Sequence, residues 1–355
     1  MLIDNFSTVL PLIDKGLNMM QTGLFDWQTR FEQLDNGGDP LVKLNEVMNW
    51  ERFRRRLENV RDKERKSNAG RKPFDVLLMF KMMILQSLYN LSDDQIEFQV
   101  RDRLSFMRFL GLSLGDTVPD AKTVWLFREQ LTAAGLVQKL FDQFDAFLRK
   151  NGFSARKGQI IDASIIAAPK QRNSRDENQK IQDGQVPADW SQAKKRQKDT
   201  DARWTQKNGK NYYGYKNHIQ IDVRHKLIRE YEVTDASVHD SQVFDQLLDE
   251  DNSSRDVYAD SAYQSKKKRD TLEQRNFRGH LQRKGCRHKP LTAREKQGNH
   301  TRSRTRSRVE HVFGVQTMRA GTLLLRTIGL VRAETKIGLR NLAYNIDRFC
   351  LLALA

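Results

Sequence analysis

Residues 159–164, QIIDAS, mark the point at which the sequence changes from a helical to a strand-like pattern. The run is short and β-branched, and it ends near an acid, Asp162. Such a run predicts a buried strand that ends in a carboxylate. A sheet domain is therefore expected to begin close to residue 151.

Further strand patterns follow a long polar segment. Residues 170–211 are rich in Lys, Arg, Gln, Asn and Asp and have almost no apolar periodicity, which predicts a long mobile insertion. Residues 218–223 alternate between apolar and polar side chains, and residues 227–233 can pair back on them after a turn. Residues 256–260, DVYAD, then form a second acid-bearing strand that closes with Asp260.

The sequence before the sheet is helical in pattern. Apolar side chains recur at helical spacing between residues 73 and 131, which predicts three short helices, and Ser92 with Gln95 forms a capping-box pattern. Lys122 and Arg128 are expected on or near the outer side of the third helix. The three helices fit a helix-turn-helix that enters the major groove, and they fit a plain helical scaffold or dimerisation unit equally well.

Together these patterns predict an α/β protein with a mixed sheet, flanking helices and an α-helical N-terminal domain. Three segments are expected. Residues 1–66 are a segment of uncertain structure, residues 67–150 are a helical domain, and residues 151–355 are the sheet domain with its polar insertion. The last helix, with an apolar stripe that includes Leu342 and Ile346, should cover one face of the sheet.

Composition narrows the choice of partners. The 355 residues carry a formal net charge of +17, which favours a polyanionic partner, although a charged surface also serves solubility. Two cysteines are too few for a zinc finger or a disulfide framework. We find neither a membrane-spanning run nor a signal-peptide pattern. The expectation is a cytoplasmic, nucleoid-associated bacterial protein without membrane contact.

Three acids stand out as a candidate site. Asp162 and Asp260 close strands, and Glu310 lies in a strongly basic segment, residues 283–308 and beyond, in which Glu295 is the other acid. Helical spacing would stack Arg302, Arg306 and Glu310 on one face. Taken singly, each Asp is equally explained as a turn or cap residue, and Glu310 as the ion-pair partner of Arg306.

Carboxylates in this order suit the chemistry of phosphodiester cleavage. Two Mg²⁺ ions about 3.5–4 Å apart can stabilise both the attacking and the leaving oxygen. Mg²⁺ prefers hard oxygen ligands and keeps several waters, so two or three carboxylates and a substrate phosphate suffice. The sequence alone does not bring the three acids together.

Several motifs resemble those of one known family, in the same order along the chain. They are IIDAS at residues 160–164, YGYKNH at 213–218, TDASVHDS at 234–241, YADSAY at 258–263 and RSRVEHVF at 306–313, with GRKPFD at 70–75 and LSFMRFLGL at 104–112. The chain resembles bacterial DDE transposases of the insertion-sequence-five group over roughly residues 67–350.

The resemblance implies a ribonuclease-H-like catalytic domain in which Asp162, Asp260 and Glu310 are the catalytic and metal-binding triad. It implies Mg²⁺ or Mn²⁺ as cofactor, with two ions expected. The implied partners are double-stranded DNA, as element terminal inverted repeats and target, and further copies of the chain in the DNA complex. Residues expected at the DNA are Arg306, Arg302, Lys216, His218, Lys122 and Arg128.

The chain departs from the family pattern at two places around the glutamate. The family carries a Tyr seven residues before it and a Lys seven residues after it, where this chain has Ser303 and Thr317. Arg319 is a candidate to replace the missing Lys. Two other functions use the same residues: a metal-dependent nuclease without strand transfer, and a DNA-binding regulator whose acids are structural.

Overall fold

The structure is a computed structural model, and it describes residues 26–61 and 72–354. Residues 1–25, 62–71 and 355 lie outside the described residues, and with them the start of the motif at 70–75. The chain divides into two compact units, residues 1–39 and 40–355. In the described part of the first unit, helix α1 spans Asp26–Asn36.

The second unit begins with helices. They are α2 (Pro40–Val47), α3 (Arg54–Glu58), α4 (Val76–Tyr89), α5 (Asp93–Asp102), α6 (Leu104–Leu110), α7 (Ala121–Ala133) and α8 (Leu136–Lys150). The predicted capping box is confirmed, because Ser92 and Gln95 bond reciprocally at the start of α5. The single helix expected after Ser92 is instead two helices, since Arg103 between them has extended backbone. Gly111 ends α6 in the left-handed conformation, as expected from its position.

One mixed sheet follows the helices. Its strands are β1 (Gln159–Ala167), β2 (Arg203–Lys207), β3 (Lys210–Asp222), β4 (Ile228–Asp235), β5 (Asp256–Ala259) and β6 (Arg278–Leu281). β3 pairs antiparallel with β1, β2 and β4, and β1, β5 and β6 run parallel. The expected hairpin is confirmed as β3 and β4. β1 does not end at Asp162, because the β-branched residues that follow continue its pairing with β3 as far as Ala167.

The polar segment 170–211, for which the sequence predicts a long mobile insertion, contains regular structure. It holds α9 (Arg175–Gln182), α10 (Gln192–Gln197) and β2. Buried Asp199 accepts hydrogen bonds from the hydroxyl of Tyr215 at 2.7 and 2.8 Å, and its carbonyl accepts one from Tyr213 at 3.0 Å. Polar contacts to the sheet therefore replace the apolar periodicity that the segment lacks.

The C-terminal part supplies four helices, α11 (Lys266–Gln274), α12 (Ala293–Arg306), α13 (Val309–Ala320) and α14 (Leu330–Ala353). α14 packs on β4 and on α4 and α8, and its stripe, including Leu342 and Ile346, is fully buried. The helix near Val243–Leu248 expected from the sequence is a pair of short 3-10 turns. No described helix combines the length and the apolar character needed to cross a membrane.

Two apolar clusters lie on opposite faces of the sheet. The larger joins the helices before residue 150 to the sheet and to α14, and it includes Phe80, Phe144 and Ile160. The smaller includes Ile161 and Phe244. Because the helices and the sheet share a core, the division at residue 150 remains a prediction about function and has no counterpart in the packing.

A buried ion network also ties α8 to the sheet. Arg229 on β4 is 1% exposed, and it donates to Asp145 of α8 at 2.7 Å and to Asp222 of β3 at 3.0 and 3.1 Å. Asp145 also pairs with Arg149 at 2.6 Å. Each buried charge thus has a partner of opposite sign, which burial requires.

Candidate active site

Asp162 lies within β1 on the face that packs against α13. Side chains alternate along a strand, and Ile160, two residues earlier, belongs to the larger core to which Val309 and Val312 of α13 contribute. The side chain is 15% exposed, and its Oδ1 accepts from the Ala163 amide at 2.8 Å. Burial raises the pKa of Asp162 to about 6, against the opposing effect of the Arg306 guanidinium.

Asp260 follows the neighbouring strand at the same level. β1 and β5 are parallel, with Ile160 opposite Tyr258, so the same offset places Asp162 level with Asp260. Asp260 accepts from the Ala262 amide at 2.8 Å and so begins the turn that follows the strand. The cap interpretation of Asp260 is therefore confirmed, and one of its carboxylate oxygens makes the cap while the strand register fixes the position of the group.

Glu310 comes from a different element. It lies in the first turn of α13, after the short break at Ser307 and Arg308 that separates α12 from α13. Its side chain is 61% exposed, and its Oε1 lies 3.5 Å from Nη2 of Arg306. The predicted ion pair between these two residues is thus present.

Arg306 links two of the acids. Its Nη1 donates to Oδ2 of Asp162 and its Nη2 pairs with Glu310, while its Nε is buried and has no hydrogen-bond partner among the described residues. Arg302 is directed elsewhere, with Nη1 donating to Asn299 at 3.3 Å. The helical face predicted for residues 302, 306 and 310 therefore contributes one arginine to the acid site, and that arginine is Arg306.

The three acids are close enough to act on one another electrostatically. Both Asp260 and Glu310 raise the pKa of Asp162 by charge repulsion. In this conformation the described residues form no ready cluster of three or more His, Cys, Asp or Glu side chains around a metal position. The donor set nevertheless suits a hard divalent cation, because all three groups are carboxylates and a cation would offset their mutual repulsion.

A second polar cluster lies on the opposite face of the sheet. Lys216 on β3 donates to the Val238 carbonyl at 2.7 Å and lies 2.8 Å from Asp240, and His218 bonds the Thr234 hydroxyl at 2.9 Å. His218 is fully buried, and burial lowers its pKa to about 4. For Lys216 and His218 the alternative to a role at the DNA is a surface strand, which is wrong for buried His218, while Lys216 is half-buried. For Asp240 the alternative is a helix cap, which is wrong because His239 caps the turn instead.

The sequence assigned no role to Tyr263, although this residue lies in the YADSAY motif at residues 258–263. It is 1% exposed, and its hydroxyl has no hydrogen-bond partner among the described residues. Burial and the charges of Asp240, Asp162 and Asp260 hold its pKa well above the usual value. Carboxylates of both polar clusters therefore act electrostatically on this hydroxyl, and the motif that carries Asp260 was the one available signal.

Arg128 was expected on the outer side of α7, and that expectation is wrong. The side chain is buried, and its guanidinium donates to both oxygens of Asp93 on α5 at 2.6 and 2.7 Å. Helical periodicity could not reveal this partner, because Asp93 belongs to another helix. Lys122 is exposed as expected, next to exposed Trp125.

The positions that depart from the family pattern have local partners. Ser303 accepts from Gln282 at 2.5 Å, which ties α12 to the segment after β6. Arg319, the candidate to replace the missing Lys, forms an ion pair with Asp347 and lies 5.7 Å from the Tyr89 ring. Arg319 is thus engaged in packing α13 against α14 and α4.

Carboxylates at two parallel strands and in a later helix, with an arginine that joins Asp162 to Glu310, define a candidate phosphoryl-transfer site. The family model described as Transposase DDE domain matches residues 154–346, more than half of the chain. The chain belongs to this family and is a DDE transposase. A second model, described as Transposase domain (DUF772), matches residues 29–130.

The chain is also similar to a solved structure, the piggyBac transposase synaptic complex with hairpin DNA determined by cryo-EM. The identity is 12%, the match covers 89% of this chain and 75% of that chain, and the TM-score is 0.46.

Proposed function

We propose that this transposase binds the terminal inverted repeats of an insertion sequence of the insertion-sequence-five group and catalyses DNA cleavage and strand transfer there. The observation that supports the proposal is that Arg306 bonds Asp162 and pairs with Glu310, while the charges of Asp260 and Glu310 both act on Asp162. The sequence order of the acids did not require this proximity. It arises because β1 and β5 are adjacent and α13 packs on β1.

The fold supports the same proposal. The sheet runs β4, β3, β1, β5, β6, with β3 antiparallel to its neighbours and β1, β5 and β6 parallel. We infer that this is a ribonuclease-H-like core, in which acids on the first strand and on the parallel strand beside it face a common edge. The helices before residue 150 are proposed to contribute the DNA-end-binding surface, with Lys122 and Trp125 exposed on α7.

Asp162, Asp260 and Glu310 would hold Mg²⁺ or Mn²⁺, with two ions expected. When bound, the metal stabilises charge on the attacking and leaving oxygens of the phosphodiester. The chain's own contribution is positional. The register of β1 and β5 fixes Asp162 and Asp260, and exposed Glu310 in the first turn of α13 can adjust its rotamer to the occupant.

Arg306 is proposed to change partners when substrate enters. Its planar guanidinium can bind two oxygens of one phosphate group, a geometry that an ammonium lacks. In the structure those donors are directed at Asp162 and Glu310. The scissile phosphate would accept hydrogen bonds from both Nη groups of Arg306 in place of the two carboxylates. Arg306 would then position that phosphate for cleavage.

The basic surface formed by α12 and the loop before it would attract the phosphate backbone of DNA. α12 and the loop before it carry Lys and Arg throughout residues 283–308, and Arg304 and Arg308 are exposed. Because Lys and Arg release condensed counterions from DNA, binding should weaken steeply with salt. His218 and Arg128 are buried, and half-buried Lys216 pairs with Asp240 at 2.8 Å. We therefore propose a supporting role in the protein for these three side chains and assign them no phosphate contact.

The test incubates the full-length protein with duplex DNA carrying the terminal repeats of its own element, with Mg²⁺ or with a chelator. Cleaved and joined products are expected in the reaction with Mg²⁺ and not in the reaction with chelator. Cleaved product without joined product would indicate a nuclease, and no product would indicate a regulator. Asp162→Asn, Asp260→Asn and Glu310→Gln should each abolish cleavage and retain DNA binding, because each removes a metal ligand and no phosphate contact.

Asp251→Asn is the matched control for these variants. Its carboxylate is 83% exposed and makes one ion pair at 3.4 Å, so the variant changes charge equally outside the site. It should cleave as the wild type does. An active variant of Asp162, Asp260 or Glu310 would remove that residue from the proposed triad.

A further inference from the structure

A small cavity lies between α4 and α14, outside the acid site. Its volume is about 40 Å³, and polar and basic side chains line much of it: Gln86, Ser87, Asn90, Arg128, Lys336 and Arg340. A single water needs about 10–15 Å³ of such space, so the cavity can hold a group of a few heavy atoms.

The positive charge in this cavity exceeds the negative charge that faces it. Arg128 is neutralised by its two bonds to Asp93. Lys336 and Arg340 form no ion pair with any described carboxylate. Arg340 is 8% exposed, its Nη2 donates to the carbonyls of Gln316 at 2.7 Å and Gly321 at 3.1 Å, and its Nη1 has no partner among the described residues.

This arrangement is costly unless an anion compensates for it. Lys336 and Arg340 are four residues apart on α14, so two like charges lie on one face of the helix. Burial lowers the pKa of Lys336 to about 8 and that of Arg340 to about 10. Buried charges are ordinarily paired. Buried Arg340 bonds backbone carbonyls and pairs with no described carboxylate, and the Asp93 and Glu129 carboxylates act on half-buried Lys336 without forming an ion pair with it.

We propose that this cavity binds the oxyanion of a phosphate group through Lys336 and Arg340. A tetrahedral oxyanion matches the size of the cavity, which has no room for a nucleotide. The free Nη1 of Arg340 and the ammonium of Lys336 supply charged donors. Ser87 and Asn90 also line the cavity, where Ser87 donates to the Met83 carbonyl at 2.8 Å and Asn90 to the Thr322 carbonyl at 3.5 Å. The inference does not depend on the chemistry of the acid site.

The phosphate group has two sources that share this chemistry. One is inorganic phosphate, and the other is a phosphate of DNA, of which the terminal 5′-phosphate is the least hindered. The cavity has to distinguish a tetrahedral oxyanion from chloride in either case. The first experiment therefore tests the anion, and a separate arm tests its source.

The test is thermal unfolding of the full-length protein in chelator, so that no divalent metal contributes, at constant ionic strength. Replacing chloride with inorganic phosphate should raise the midpoint by about 2–4 °C and saturate, because a ligand that binds the folded state stabilises it. Equal midpoints in chloride and phosphate would overturn the proposal. Isothermal titration with inorganic phosphate should give saturable binding.

Lys336→Met removes one half-buried cation from the cavity. It should lose the phosphate-dependent shift and weaken phosphate binding at least about tenfold, which corresponds to one charge-assisted contact of about 1.4 kcal/mol. Arg326→Met is the matched control, because Arg326 is exposed, acts on Lys336 electrostatically and does not line the cavity. It should keep the shift.

A full phosphate shift in Lys336→Met would overturn the proposal. If that variant fails to fold, Lys336→Gln removes the charge with a polar side chain and is held to the same outcomes. For the source, a duplex with a 5′-phosphate is compared with the same duplex lacking it. Competition with inorganic phosphate by the first duplex alone assigns the site to DNA ends, and no competition by either assigns it to free phosphate.

Discussion

Replacement of Arg306 separates its role in cleavage from its role in holding the acids. In the structure its guanidinium is shared between Asp162 and Glu310. If it positions the scissile phosphate, Arg306→Ala should reduce the cleavage rate about a hundredfold, which is the cost of misplacing a reacting group. Arg306→Lys should remain impaired at least about tenfold, because an ammonium restores the charge without the fork.

The same variant should bind divalent metal more tightly. A cation beside a carboxylate favours its charged form by about 1–3 pKa units, and one unit corresponds to about tenfold. Arg306 pairs with the Asp162 carboxylate, so a metal ion has to compete with the guanidinium for that carboxylate. Its removal should raise the apparent Mn²⁺ affinity of the DNA-free protein by about tenfold or more, measured by calorimetry.

The two measurements refute different parts of the reasoning. Near wild-type cleavage by both Arg306 variants would leave the residue as an ion-pair partner on the helix surface. A loss of Mn²⁺ affinity in Arg306→Ala would show that the arginine holds the acids in place and does not compete with the metal. Arg304→Ala is the control, since Arg304 is exposed on the same helix, and it should weaken DNA binding without changing single-turnover cleavage of bound DNA.

Three further outcomes concern stability. Arg229→Met should lower the free energy of unfolding by about 3–5 kcal/mol in denaturant titration, because it removes the arginine partner of fully buried Asp222 and leaves Asp145 with Arg149 alone; a loss below about 1 kcal/mol would contradict the buried network. Gly338→Ala should destabilise by about 1–3 kcal/mol, since its Cβ would lie 2.4 Å from the Tyr231 hydroxyl, whereas Gly314→Ala, with open space around it, should stabilise slightly. The lowered pKa of Lys336, about 8, means that folding disfavours its charged form, so its contribution should raise stability as pH increases from about 8 to about 10, and Lys336→Met should remove that part of the rise.

Local signals in the sequence predicted much of what positions the site. The strands that carry Asp162 and Asp260, the hairpin of β3 and β4 and the capping box at Ser92 all depend on residues that are neighbours in the chain, and the structure confirms them. The ion pair of Arg306 with Glu310 is also local, because helical spacing sets it.

What the sequence did not reveal depends on partners that are distant in the chain. Arg128 is buried because Asp93 on another helix accepts hydrogen bonds from its guanidinium. The segment 170–211 contacts the sheet through Asp199, which accepts hydrogen bonds from two tyrosines of β3. The contact of Arg306 with Asp162 joins residues far apart in sequence, so no periodicity predicts it. The same holds for the length of β1, which pairing with β3 extends beyond the acid.

The alignment of the two aspartates depends on a glycine at the other end of the strands. Gly158 precedes β1 with φ of +93°, and a Cβ there would lie 2.7 Å from the carbonyl oxygen of Asp256, the first residue of β5. The close approach of the two chains at this point fixes the parallel register, and that register carries Asp162 level with Asp260 further along. A shift of one residue would turn every side chain of the strand to the opposite face, and Asp162 would then face the smaller core. The alignment of Asp162 with Asp260 is therefore a consequence of the register of β1 and β5, because Asp162 lies a fixed number of residues after Gly158 along the chain.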